Sequence, residues 1–424
     1  MPVVQRLKAR EILDSRGRPT VSTRCELRSG AAASASVPSG ASTGSAEALE
    51  LRDGDPHRYR GLGCRKAAAN VSGPMHEACA GREFVSQDEF DRTLIALDGT
   101  ENKSHLGANA ILSASIAFAR ATAIERGLPL YAYFAEILGR QPHALPRLTI
   151  NLFSGGKHAG QQVAIQDVLI VPAAARSIDE SLTTAYDVYQ AAAELSFERY
   201  GMRALTADEG GLAPPFESTA GMLAGAVESI ERAGYTPGKE VALAVDVASS
   251  HFYSEGRYHL DQESLDSTGM IARVASWVEQ FPIVSVEDGL AEDDWDHWPA
   301  LRQAIGAKTL VVGDDLLCTR PERIRQAIAL RAANALLLKV NQVGTLCEAA
   351  YSYKLARSAD WCVTISVRSG ETEDDWAADL AAGWSGDQFK NGSITQSERL
   401  AKYNRLLEIE QETGWRLVGW PANP

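Results

Sequence analysis

No apolar run in this chain approaches the length that spans a bilayer. The N-terminal stretch MPVVQRLKAREILDSRG also lacks the basic-then-apolar order of a secretory signal. The six cysteines, Cys25, Cys64, Cys79, Cys318, Cys347 and Cys362, form no Cys-x-x-Cys pair and no paired spacing. They read as reduced packing thiols in a cytoplasmic protein. Positive charge is scarce: 42 Lys and Arg against 55 Asp and Glu leave a net charge of −13. That balance argues against a nucleic-acid partner and offers no attraction to an anionic membrane. An anionic substrate would need local positive charge or a metal ion to offset the field. There is no low-complexity segment and no repeat beyond a strand-helix rhythm. The rest is ordinary for a soluble globular protein, 45% apolar and 23% charged. At 424 residues, two domains are the default.

The informative stretch runs from Ala244 to Gln342. It holds four short Val-, Ile- or Leu-rich runs, AVDVAS, VSVEDG, VVGDD and LLLKVNQ, each ending in a charge that an apolar strand should not carry: Asp246, Glu287, Asp314 and Lys339. They lie roughly 25 to 40 residues apart, one strand-helix-strand step each. In a parallel β/α barrel every strand ends at the same face, so this spacing predicts three carboxylates and an amine around one mouth. Three carboxylates share a small volume only if something cancels their charge, and a divalent cation that prefers oxygen, Mg²⁺, does so.

Residues 1–137 are expected to form an α+β domain: alternating antiparallel strands over REILDSRGRPTVSTRCELRSGAAASASV, then helices. Between them, Pro38-Ser39-Gly40-Ala41-Ser42-Thr43-Gly44 is too small and polar for a core. It reads as a mobile lid that could offer a hydroxyl to a metal. No Gly-Lys-Ser/Thr follows, so it is not a Walker phosphate loop. Residues 138–424 are expected to form the barrel. LTINLF and VLIVP read as strands flanking SGGKHAGQQVAIQD, which puts Lys157, His158, Gln166 and Asp167 near strand ends. Glu209 precedes two glycines, and Arg368-Ser369 and Lys390 follow later strands.

Arg368 with Ser369 suits a phosphate or a carboxylate. Two lysines near Mg²⁺ favour the neutral amine, so one can act as a base. A base facing a metal-bound carboxylate suits removal of a proton α to that carboxylate, with the dianion held by metal and cation. An acid on the opposite side could then expel a β-hydroxyl.

The motifs AREILDSRGRPTV, VPSGASTG, EALELRDGD, LDGTENKS, GANAIL, DEGG, VGDDL, LLLKVNQVG, RSGETED and SERLAKYN occur in this order along almost the whole chain. In them the chain resembles the enolase family. The resemblance implies an N-terminal α+β domain capping a modified (β/α)8 barrel with an early antiparallel strand, commonly in dimers, so a homodimer or a higher homo-oligomer is expected. It implies two Mg²⁺ ions, the first on Asp246, Glu287 and Asp314 and the second on Ser42 with substrate phosphate. By the same resemblance Lys339 takes the C2 proton, Glu209 helps the C3 hydroxyl leave, and Lys390 grips the carboxylate side. Arg368 and Ser369 would hold the phosphate, with His158 on the lid side.

The chain also departs from the family pattern around the mouth. Val367 stands where enolases carry histidine before Arg-Ser-Gly, and Asp167 where they carry glutamate after glutamine. Ser154, Lys157, Ala207, Gly289 and Asn391 are further changes. A side chain one methylene shorter at Asp167 would retreat by roughly 1.5 Å. Lys157 could meet an added negative charge, and Val367 leaves room. The departures favour a diverged enzyme acting on a phospho- or phosphono-carboxylate, of the kind of carboxyphosphonoenolpyruvate synthase. Dehydration of 2-phosphoglycerate to phosphoenolpyruvate is the alternative. A non-catalytic binding protein on the same fold is the third reading, disfavoured because a binder needs no base beside a metal.

Overall fold

The computed structural model describes residues 1–41, 44–201 and 205–419. The N-terminal part opens with three antiparallel strands in sequence order, β1 (Val4–Leu13), β2 (Pro19–Leu27) and β3 (Ala32–Ser36). The helix Ala108–Glu125 packs on β2 and β3. It can lie that close because its sequence, ANAILSASIAFARATAIE, is built largely from Ala and Ser and is buried nearly all round. Its Phe118 stacks on Phe90 at a centroid distance of 4.1 Å, and Phe84 meets both rings edge-on.

The second part is a closed barrel. Strand β4 (Arg147–Ser154) is antiparallel to β5 (Asp167–Pro172), and β5 is antiparallel to β6 (Val241–Asp246). A small three-stranded sheet, β7 (Tyr253–Ser254), β8 (Arg257–Leu260) and β9 (Glu263–Leu265), follows as an excursion. The parallel series then runs β6, β10 (Ile283–Glu287), β11 (Leu310–Gly313), β12 (Ala335–Leu338), β13 (Cys362–Ser366), β14 (Gln388–Gly392) and back to β4. The four runs read from the sequence are thus consecutive neighbours. The early antiparallel strand is β5. A βα unit returns through a helix and stays parallel, whereas β4 and β5 are joined by the loop 155–166 alone, so β5 runs back.

Alternation along the strands decides which side chains reach the barrel interior. Leu243, Val245, Leu336 and Leu338 join the large core under the helices. Leu169, Val171 and Ala244 cluster separately, as do Leu310, Val312, Ala335 and Leu337. These two small clusters line the interior. Asp246 is two residues on from Ala244, Asp314 two on from Val312, and Lys339 two on from Leu337, so all three fall on the inward side. Glu287 reaches it by an irregularity: β10 slips against β6 between Ile283 and Ser285, and Val286 faces the outer core.

The two parts are locked together where the helix Leu130–Leu138 packs on the helix Trp376–Gly383. A Cβ at Gly383 would lie 2.2 Å from the Tyr131 carbonyl oxygen. Because that neighbour is backbone, Gly383→Ala is expected to destabilise the protein by about 1–3 kcal/mol, read as a lowered urea midpoint at unchanged slope.

Candidate active site

Four carboxylates and two lysines converge at the C-terminal mouth, all buried except the partly exposed Lys339: Asp246, Glu287, Asp314 and Glu209, with Lys339 and Lys390. The Lys390 ammonium donates to Asp246 Oδ2 at 2.8 Å and to Glu287 Oε2 at 2.7 Å. Lys339 is ion-paired with Asp314. Gln166 donates to Asp246 Oδ2 at 3.0 Å, and Gln342 to Asp314 Oδ1 at 2.9 Å. Asp288, adjacent to Glu287, accepts the backbone N–H groups of Asp314 and Asp315 at 3.0 and 2.8 Å, fixing the turn after β11.

The electrostatics follow from this pairing. Burial opposes ionisation of Asp246, yet Lys390 pulls its carboxyl down to about 2. Glu287 is pushed well above the carboxylate range by burial and then by the Asp246 and Asp314 charges. Lys339 is raised above an ordinary lysine: burial disfavours its charge, but the surrounding acids, Asp314 first and then Glu287, together outweigh it. This differs from the neutral amine expected from the sequence, because Asp314 holds the ammonium directly.

A second group lies across the mouth. His158 Nδ1 bonds Asp167 Oδ2 at 2.8 Å, and its Nε2 lies 3.9 Å from Glu209 Oε1. Glu209 is held by Asn151 at 3.0 Å, and Asp167 accepts the Ser154 hydroxyl at 2.5 Å. Burial lowers the basicity of His158, but Asp167 and Glu209 outweigh it and lift the imidazole to about 9. Burial opposes the charge of Glu209 too, and His158 first among the cations brings it below its ordinary value. Burial lifts the Asp167 carboxyl above its ordinary value even against His158, so the cluster's proton lies within the His158–Asp167 pair. His158 is raised above its unfolded value, so its contribution to stability is full below about pH 6.5 and is lost as pH rises through about 9. Asp167→Asn is expected to lower the His158 titration, followed by NMR of the ring protons, since Glu209 and Asp246 are then left to oppose burial.

A small cleft is lined by Ala41, His158, Gln166, Glu209, Asp246, Lys339, Val367, Arg368, Ser369 and Lys390, among others. Arg368 pairs with Glu47 at 2.8 Å and donates to Asn341 Oδ1 at 3.1 Å. Asp167 does not line the cleft: it is fully buried behind His158. Lys157 is exposed and also absent from the lining. Ser42 lies outside the described residues. Glu47, Asn151, Asn341, Gln342 and Asp288 were not picked out from the sequence. Only their partners across the fold give them away, since a Glu or an Asn beside a loop carries no signal of its own.

The donor set fits a divalent cation. Glu287 Oε1 and Gln166 Oε1 are buried acceptors without a hydrogen-bond partner among the described residues. The carboxyl of Glu287 is raised first by burial and then by the Asp246 charge, so an added cation there would favour its charged form. Asp246, Glu287 and Asp314 carry the oxygen donors that magnesium prefers, but lysines pair with all three. Among the described residues, the groups whose ligand atoms lie within 4.8 Å of one another are Asp288 with Asp314 and Asp315, and His158 with Asp167 and Glu209.

A closed barrel with acids and lysines gathered at its C-terminal mouth has the layout of a barrel enzyme. The family model described as "Enolase, N-terminal domain" matches residues 4–134, and "Enolase, C-terminal TIM barrel domain" matches residues 142–418. The chain is 48% identical over 426 residues to "Enolase" of Methanopyrus kandleri, covering 100% of this chain and 99% of that one. This chain belongs to the enolase family and is a lyase of the enolase type. No helix among the described residues is long and apolar enough to cross a membrane.

Proposed function

We propose that the chain removes the C2 proton of a 2-phosphoglycerate-like acid and expels the C3 hydroxyl, giving a phosphoenolpyruvate-like product. The observation that carries this reading is Lys339 and Glu209 lining one cleft with Arg368 and Ser369. Lys339 would take the proton, Lys390 and the cation would hold the carboxylate end, and Arg368 and Ser369 would bind phosphate. Asp246, Glu287 and Asp314 would hold magnesium, which would supply Lewis-acid stabilisation of the charge developing on the carboxylate end. A second ion on Ser42 and the phosphate is part of the proposal. So is a homodimer. With Asp314 committed to the cation, Lys339 loses the partner that keeps it protonated. Substrate brings further negative charge, which raises Glu209 toward the protonated form needed in an acid.

Full-length similarity to a named enolase favours 2-phosphoglycerate as the substrate, and the comparisons do not support the phosphonate-synthase reading over it. The changed glutamate position is compensated in part, because the Ser154 hydroxyl and His158 both hold Asp167. One observation still favours an altered substrate: Val367, an apolar side chain, lines the cleft. A larger carboxyphosphono group is the second reading. Enolpyruvate absorbance on incubation with 2-phosphoglycerate and Mg²⁺ decides between them. Turnover typical of an enolase supports dehydration of 2-phosphoglycerate. Exchange of the C2 proton without elimination supports the altered substrate.

A further inference from the structure

The phosphate end of the cleft is assembled from two domains, and one buried arginine ties them together. Arg16 stands in the turn between β1 and β2, with its side chain only 6% exposed. Asp14, whose side chain is wholly buried, aims it: the carboxylate accepts the Arg16 and Arg18 backbone N–H groups at 2.8 and 2.9 Å and Arg16 Nη2 at 3.0 Å. The other N–H groups of the guanidinium reach two targets. Nη2 donates to the Ser39 carbonyl at 2.9 Å and approaches that of Gly40 at 3.5 Å, both at the base of the lid segment. Nη1 donates to Ser369 Oγ at 3.2 Å.

The second contact has a chemical consequence. A serine hydroxyl has one proton to donate and two lone pairs. Ser369 Oγ accepts from Arg16 Nη1 and also from the Ala41 backbone N–H, at 2.9 Å. With both lone pairs engaged, the hydroxyl can only donate, and among the described residues its proton has no acceptor. It lines the cleft, so an anion there receives a donor that cannot rotate into an accepting role. The site leaves no space for anything but the arginine: a Cβ at Gly370 would lie 2.1 Å from Arg16 Nη2 and 2.3 Å from Asp14 Oδ2. Reciprocal backbone hydrogen bonds between Ser39 and Gly370, at 2.8 and 3.0 Å, hold the lid base to the same turn.

We propose that Arg16 is a positioning residue for phosphate recognition: it fixes the Ser369 hydroxyl as a donor and anchors the base of the lid beside it. This deepens the function proposed above and rests on phosphate lying at Arg368 and Ser369. The test is a double-mutant cycle of Arg16→Met and Ser369→Ala, read both as phosphoenolpyruvate binding by calorimetry in Mg²⁺ buffer and as kcat and KM for 2-phosphoglycerate. Each single variant is expected to weaken binding about tenfold, the scale of one hydrogen bond to a charged group. KM should rise and kcat should change less. The double variant should be no weaker than the worse single one, because Arg16 acts through Ser369. Arg16→Lys supplies the same cycle if Arg16→Met does not fold. One ammonium can keep Asp14 but lacks the fork that reaches Ser369 and the lid carbonyls together. Multiplying effects, or a fall in kcat at unchanged KM, would overturn the inference. So would a wild-type chain that binds no phosphoenolpyruvate. A wild-type chain that binds phosphoenolpyruvate but does not turn over 2-phosphoglycerate fails the activity reading alone, and the binding cycle still decides on Arg16.

Discussion

Lys339→Ala is expected to lower kcat for 2-phosphoglycerate by about 10⁴-fold, the upper range for loss of a positioned general base. The position argues for the size of the effect. Lys339 follows β12 on the inward side, and its backbone N–H donates to Thr319 Oγ1 at 3.0 Å. Thr319 in turn donates to Gln342 at 2.6 Å, and Gln342 donates to Asp314. The amine is therefore held against a proposed cation ligand by a closed set of hydrogen bonds. Among the described residues lining the cleft, the alternatives as base are poor. Lys390 is committed to two carboxylates, and its protonated form is stabilised well beyond that of an ordinary lysine, by Asp246 first, against burial. His158 is protonated up to about pH 9. Substrate binding should persist, since Arg368 and Ser369 are untouched. A kcat loss below about tenfold in rapid-mixing assays would assign the base elsewhere.

Glu287→Gln is expected to weaken Mg²⁺ binding about 10³-fold. Removing one unit charge 4 Å from a cation costs about 4 kcal/mol per cation charge at an effective dielectric near 20, and relaxation of neighbouring groups recovers part of it. Thermal stability without metal should not fall. Burial, with Asp246 and Asp314, already works against the Glu287 charge, and the amide keeps an acceptor for Lys390. Titration calorimetry with MgCl₂ reads the first quantity, and a melting curve in chelator reads the second. Unchanged Mg²⁺ affinity would remove Glu287 from the ligand set.

Much of this geometry was readable because a charge closing an apolar run is unusual wherever it occurs. Asp246, Glu287, Asp314 and Lys339 carried that signal and lie in adjacent strands. Helix ends obey equally local rules: Ser177 caps the helix Ile178–Tyr200, accepting the Glu180 N–H at 3.0 Å, and Gly201 ends it in a left-handed conformation. Strand direction was different. Nothing in LTINLF or VLIVP says that β5 runs backward, and that expectation came only with the family resemblance. Side-chain partnership was harder still. That Lys390 would bridge Asp246 and Glu287, more than 100 residues away, depends on closure of the barrel. Asp167, marked out by standing where enolases carry glutamate, opens β5 with its carboxylate turned behind His158. The Arg16 contacts were hidden for the same reason, since a turn in one domain meets a turn some 350 residues later.

Deuterium incorporation at C2 of 2-phosphoglycerate, followed by NMR in D₂O with Mg²⁺, tests the central claim most directly when wild type, Lys339→Ala and Glu209→Gln are compared. The account predicts exchange in the wild type, exchange with little elimination in Glu209→Gln, and neither in Lys339→Ala. Exchange at the wild-type rate in Lys339→Ala would contradict it.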